Sequence, residues 1–393
     1  MPIPPHAEQL MSLMRVRGGF RQRRTFAMST DDWSLQAFEA SLKPAELTRY
    51  RSLNPTKPQA AESLKWVERG LRWLEADDHH LIALTDRRYP RMLARTDGSP
   101  IALFVQGDPQ ALWVPSIAVI GSRNPSRAGI DNTNDYVAGL VDAGLSIVSG
   151  LAYGIDSVAH RQALDCEGIT VAVVGNGLDS TYPRRHAGLH REIAASGAVI
   201  SEFLPGTPPA RDHFPQRNRV IAGLSCATLV MESAIGSGTL ITAEAATHQG
   251  RDVFAVPGNI HNPVYRGNNE LIRNGATLVQ SVEQVLDDLH FIVRVAQSDL
   301  TDVETALPTL FHRFPEGHFV PPLDFDSDDP DYNTLWQVMD DTPRDMGSLA
   351  NSSGLTFAKV SVLLEVLASH HRVVSQNGRY RHADRSIASL EAG

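Results

Sequence analysis

Ser116-Ile-Ala-Val-Ile-Gly-Ser-Arg-Asn-Pro-Ser126 sets four apolar residues, Ile117 to Ile120, directly before a glycine, a hydroxyl and an arginine. The same order of short apolar run, glycine-containing turn and helix-length segment recurs downstream. Its runs lie at Leu145–Val148, Val171–Val174, Ala198–Ile200, Ala227–Val230 and Val253–Val256. Short, mainly apolar runs bounded by turn residues and separated by helix-length segments read as parallel strands buried on both faces. From Ser116 to about Leu289 the chain is expected to form an α/β fold, a doubly wound parallel sheet. Such sheets take ligands in the crevice beyond the carboxyl ends of their strands, so the residues after each run are the candidates for function.

Toward the amino terminus, apolar residues at helical spacing in Leu35-Gln-Ala-Phe38-Glu-Ala-Ser-Leu42 and from Leu64 to Leu74 predict a small helical domain over residues 8–80. Strand-like runs at Leu81–Leu84 and Ile101–Val105 open the α/β domain, assigned to residues 81–292. Residues 293–330 read as a linker, because the Pro- and Asp-rich stretch that begins at Pro321 packs poorly. Residues 331–385 offer three helical stretches (Leu335–Met339, Met346–Ala350, Phe357–Leu367) and then Asn377-Gly378 between two strand-like arms, a hairpin signal. Helix, helix, helix, hairpin is the winged-helix order, with Ser353-Gly354 at the turn. Lys359 stands alone on the third stretch, which argues against a helix that reads a duplex groove.

A chain of 393 residues, 42% hydrophobic and 21% charged, can bury cores in more than one domain. Its two cysteines, Cys166 and Cys226, are far apart and outside any Cys/His grouping, so neither a disulfide scaffold nor a zinc site is expected. The start, Met1-Pro-Ile-Pro-Pro-His6, lacks the features of a signal peptide, and no apolar run is long enough to span a bilayer, so a cytoplasmic protein without membrane contact is expected. The net charge of -9 argues against a general polyanion-binding surface, since phosphate affinity comes from Lys and Arg displacing counterions. Any nucleic-acid site must be a local basic pocket.

Five turns carry the chemistry. Gly121-Ser122-Arg123 combines close backbone approach, a hydroxyl donor and a guanidinium at a helix start, a phosphate cradle or else a tight turn with an arginine at the sheet edge. It lacks the G-x-G-x-x-G and Walker A patterns, so neither dinucleotide binding nor NTP hydrolysis is indicated. Ser149-Gly150-Leu-Ala-Tyr153-Gly154-Ile-Asp156 places two glycines four apart, where backbone approaches a ligand or the neighbouring turn. Asp156 and His160 have i,i+4 spacing, a metal pair or, more simply, a helix-start aspartate and a satisfied histidine. Pro209-Ala-Arg211-Asp-His-Phe214-Pro-Gln-Arg217-Asn218-Arg219 gathers cations and a flat ring as single-strand binding requires, unless its arginines pair with acids such as Glu202. Tyr182-Pro-Arg184-Arg185 and Gly236-Ser237-Gly238-Thr239 would converge on the same crevice, the second as a helix start with exposed amides.

Together the Gly121-Ser-Arg123 turn, Ser149 to His160, Tyr182-Pro183, Phe214-Pro-Gln-Arg-Asn-Arg219, Ser237-Gly-Thr-Leu-Ile-Thr-Ala243 and Val256-Pro-Gly-Asn259 resemble the DprA/Smf proteins across the whole central domain. The resemblance implies an extended Rossmann-like domain that binds single-stranded DNA, dimerises and loads the RecA recombinase during natural transformation, with no catalytic activity and no cofactor. Carried over by motif, the DNA-binding residues would be Gly121, Ser122, Arg123, Arg184, Arg211, Phe214, Arg217, Asn218, Arg219, Ser237, Gly238 and Thr239. Family members often carry an amino-terminal helical domain of the sterile-alpha-motif type, which residues 8–80 match by position and spacing. Two rivals are a phosphoribohydrolase acting on a nucleoside monophosphate, with Glu232 and Glu244 flanking the glycine-rich turn, and a winged-helix regulator. The first would show a Pro-Gly-Gly-x-Gly-Thr pattern, which this chain lacks.

Overall fold

A computed structural model describes residues 6–16, 20–30, 32–53, 59–289, 330–339, 342, 344–355, 360, 363–364, 373–376 and 379–382. They divide between two compact units, one running through Asp287 and the other holding the described residues from Asp288 onward.

The first unit is built on nine strands: β1 (His79–Ala83), β2 (Ala102–Gly107), β3 (Ser116–Ile120), β4 (Ser146–Ser149), β5 (Thr170–Val173), β6 (Ala198–Ser201), β7 (Ala227–Val230), β8 (Asp252–Ala255) and β9 (Thr277–Leu278). Their order in the sheet is β1-β2-β6-β5-β4-β3-β7-β8-β9. All six apolar runs after Ser116 are strands, and β3 through β9 are parallel. The sheet is mixed at one edge, where β2 pairs antiparallel with β6 and β1 with β2. The chain passes from β1 to β2 through a connection containing only the single turn α6 (Arg91–Ala94), without the crossover helix that parallel neighbours need.

Side chains on these strands alternate between two cores, as strand geometry requires. Ile82, Leu103 and Val105 face one core, while Leu81, Ala102 and Phe104 face the other. The helices are α1 (Ala7–Met14), α2 (Phe20–Ser29), α3 (Leu35–Ser41), α4 (Pro44–Leu53), α5 (Gln59–Trp73), α7 (Arg127–Asp142), α8 (Ile155–Asp165), α9 (Ala187–Ser196), α10 (His213–Leu224), α11 (Gly238–His248) and α12 (Arg266–Arg273). α10 and α11 supply Val220, Ile221, Leu224, Ala243 and Ala246 to the first core. On the other face Leu10, Met11, Phe38 and Val67 of the amino-terminal helices share a core with Leu189 and Ile193 of α9.

β3 is the switch point: β4, β5 and β6 extend to one side of it, and β7, β8 and β9 to the other. Its register with β7, Ile117↔Ala227 through Ile120↔Val230, brings Gly121 level with Met231 at the carboxyl edge.

In the second unit, helices Pro330–Val338 and Met346–Ser353 pack Leu335 and Leu349 with Val360, Leu363 and Leu364. Gly354 ends the second helix at φ +70, where a side chain is disfavoured. Strands β10 (Arg344–Asp345), β11 (Val373–Gln376) and β12 (Arg379–His382) pair antiparallel in the order β10-β12-β11. The expected linker, apart from Pro330, lies outside the described residues, as do Lys359 and the Asn377-Gly378 turn. No helix among the described residues is long and apolar enough to cross a membrane.

Candidate functional site

Three turns meet where β3 ends. Ser122 N–H donates to the Glu232 carbonyl at 2.7 Å, Ile155 N–H donates to the Ser122 carbonyl at 3.0 Å, and the Thr239 hydroxyl donates to the Gly121 carbonyl at 3.0 Å. The glycines of the second turn serve this packing. Gly154 has φ +80, and a Cβ there would lie 2.2 Å from the Ser122 carbonyl oxygen, so the close approach is to the neighbouring turn.

The anion site at the start of α7 is filled from within. The Glu232 side chain is fully buried and accepts from the Ser126 amide at 3.1 Å and from its hydroxyl, while the same hydroxyl caps the Gly129 amide at 3.1 Å. A carboxylate already sits where the helix dipole favours negative charge. The start of α11 differs. Ser237 turns its hydroxyl to Ser233 at 2.7 Å instead of to an amide, Gly238 is exposed, and a Cβ on Gly236 or Gly238 would meet nothing within 4 Å. No side chain caps its first amides among the described residues.

Between these turns and α10 lies a cavity of about 620 Å³. Ten of the twelve residues carried over by motif line it: Gly121, Ser122, Arg123, Arg211, Phe214, Arg217, Asn218, Ser237, Gly238 and Thr239. Arg123 and Arg211 are exposed and make no ion pair among the described residues. Arg123 lies 5.6 Å from the centre of the half-buried Phe214 ring. Tyr182, which is not among those twelve, places its ring 5.8 Å from that of Phe214. The arrangement offers two exposed cations, a flat ring and a helix start with no side-chain cap in the lining of one cavity.

Arg184 and Arg219 are not brought into this cavity. Arg184 is exposed on the 3-10 turn Arg184–His186, further along the same sheet edge. Arg219 points off α10 the other way, pairing with Glu202 and donating to the Gly98 carbonyl. Arg217 lines the cavity from beneath: it is 4% exposed and donates to the carbonyls of Gly150 and Val173. Burial pushes its pKa down to about 10, with Asp156 opposing and Arg123 adding to the shift, so it stays cationic at neutral pH. Its position on the apolar stripe with Val220, Ile221 and Leu224 was the signal in the sequence that it faces inward.

Asp156 and His160 address different neighbours. Asp156 accepts from the Gly150 amide at 3.1 Å, and burial raises its pKa despite the nearby Arg217 charge. His160 Nδ1 meets the Thr170 hydroxyl at 2.7 Å, and burial pushes its pKa down to about 3, leaving the ring neutral. No cluster of three His, Cys, Asp or Glu suited to a metal occurs among the described residues.

Comparison with known proteins gives this geometry a lineage. The family model for DNA recombination-mediator protein A matches residues 80–290, which hold the whole nine-stranded sheet except His79. The chain belongs to that family. It is 46% identical over 228 residues to Protein Smf of Escherichia coli, a match covering 58% of this chain and 61% of that protein. It is 42% identical over 229 residues to the DNA processing protein DprA of Streptococcus pneumoniae, covering 56% of this chain and 81% of that one. The X-ray structure of the Streptococcus pneumoniae protein superposes with a TM-score of 0.60 at 34% identity, over 73% of this chain and 98% of that chain. The Rossmann-like fold expected from the motifs is thus shared with a solved family member.

Proposed function

We propose that this family member binds single-stranded DNA in the switch-point cavity and passes the strand to the RecA recombinase, without catalysis and without a cofactor. The observation that carries the reading is that Arg123 and Arg211, which make no ion pair among the described residues, line one cavity with the Phe214 ring and the start of α11. Cations that follow the backbone and a ring on which a base stacks are the recurrent means of holding single strands. Membership of a recombination-mediator family supports the handover. Arg184 extends the basic edge, while Arg217 and Arg219 support the site from within the fold. A cytoplasmic homodimer would set two cavities along one strand and raise avidity without new contacts. The carboxyl-terminal unit is read as a winged helix that serves partner binding or structure.

The enzyme reading loses its acid. Glu232 is committed to Ser126, and neither it nor the exposed Glu244 lines the cavity. Anisotropy of labelled oligo-dT and of a duplex, with AMP incubated in parallel and searched for released base, tests the proposal. Strand-selective, salt-sensitive binding and intact AMP are expected; duplex preference or base release would overturn it.

A further inference from the structure

Two tyrosines on the same sheet edge have a chemistry that the cavity does not use. Tyr153 follows β4 and is 44% exposed; Tyr182 follows β5 and is 46% exposed. Neither phenol makes a hydrogen bond among the described residues, so no polar contact accounts for large rings held at the surface. Both rings are nonetheless positioned. Tyr153 meets the His186 ring edge-on at 5.0 Å, and His186 Nδ1 is fixed by the Leu151 carbonyl at 2.9 Å. Tyr182 is braced by Phe214 at 5.8 Å. With Arg123, Phe214 and Arg217 the two tyrosines line a small recess of about 40 Å³, and Arg123, Tyr182, Phe214 and Arg217 also line the large cavity, so the two adjoin. The exposed Arg184 and Arg185 follow directly and make no ion pair among the described residues.

We propose that the bound strand leaves the cavity over Phe214 and runs across Tyr182 to Tyr153, which act as two further base-stacking platforms, while Arg184 and Arg185 hold its phosphates. The inference rests on the reading of the cavity as a single-strand site. The turns after β4 and β5 are neighbours because those strands are neighbours, and Tyr182 lines the large cavity while Tyr153 lines only the recess, so a strand leaving the cavity meets Tyr182 first. A protein partner also favours Tyr and Arg. Adjacency to the cavity, through two rings and two arginines common to both linings, favours nucleic acid.

Oligo-dT of increasing length, titrated against wild type, Tyr153→Ala, Tyr153→Phe and Arg123→Ala, tests the path. Wild type should gain affinity with length beyond the shortest oligonucleotide that binds. Tyr153→Ala should lose that gain, binding short oligonucleotides as wild type does and long ones between about fivefold and a hundredfold more weakly. Tyr153→Phe should keep it, since the ring and not the hydroxyl stacks. If Tyr153→Ala matches wild type at every length while Arg123→Ala is weak at every length, the path is overturned and the cavity reading stands. Uniform weakening by Tyr153→Ala would also overturn the path, by placing that ring in the primary site. If Arg123→Ala binds as wild type throughout, the cavity reading fails and the path with it.

Discussion

The guanidinium of Arg217 fills the space that a side chain at residue 150 would need: a Cβ built on Gly150 would lie 2.2 Å from its Nη1. The Gly150 carbonyl in turn accepts from that guanidinium. Gly150→Ala should therefore force Arg217 off its two carbonyl partners and lower stability by about 1–3 kcal/mol, as overpacking of a filled interior does. Thermal melting checks this, and an unchanged melting temperature would mean that Arg217 moves aside at no cost.

Glu232 and Ser126 stand 106 residues apart in sequence and share a cap at the start of α7. Ser126→Ala removes the hydroxyl that serves both Glu232 and the Gly129 amide, and should cost about 1 kcal/mol of stability. Single-strand affinity should stay within about twofold of wild type. Much weaker binding with unchanged melting would instead place Ser126 at the ligand.

The sheet was legible in the sequence because strands buried on both faces are mainly apolar runs, as Ile117–Ile120 and its five successors are, with only Ser146 and Thr228 interrupting them. β9 was not, since Thr277 and Leu278 are only two residues and both exposed. The cavity was legible as a set of turns. The division of labour within Pro209–Arg219 was legible in part: Arg217 falls on the apolar stripe of α10 and the acid Glu202 was a named partner, but which arginine takes that acid depends on where α10 aims Arg219, while Arg211 precedes the helix. The role of Glu232 depends on a pairing across 106 residues, which no local pattern reveals.

Arg219 and Glu202 form an ion pair beneath the sheet edge, with side chains 19% and 12% exposed. Arg219→Ala removes one of two cations facing the mostly buried Glu202 carboxylate, Arg23 being the other, and should destabilise the protein by about 1–3 kcal/mol. Arg123→Ala, on the surface, should leave melting unchanged. The contrast is read by denaturant unfolding of both variants; equal stabilities would remove the structural role assigned to Arg219.

Two buried histidines set the acid response. His160 and His190 are pushed down by burial to about 3 and about 4. A base whose folded pKa is depressed contributes stability that is intact above its unfolded value of about 6.5 and is lost as pH falls toward the folded value. Each should add a slope of about 1.4 kcal/mol per pH unit across that window. His160→Asn should flatten the fall in stability between pH of about 6.5 and about 4.5 relative to wild type. Parallel pH profiles for the two proteins would show that His160 takes up no proton on unfolding.

The most direct measurement is the salt dependence of oligo-dT affinity for wild type and the Arg123→Ala, Arg211→Ala double variant. Every phosphate deprived of its arginine should reduce the slope of log affinity against log salt by about 0.7, so the double variant should be weaker at low salt, shallower by about 1.4 and unchanged in melting. Identical affinity and slope in the two proteins would contradict the assignment of the strand to this cavity.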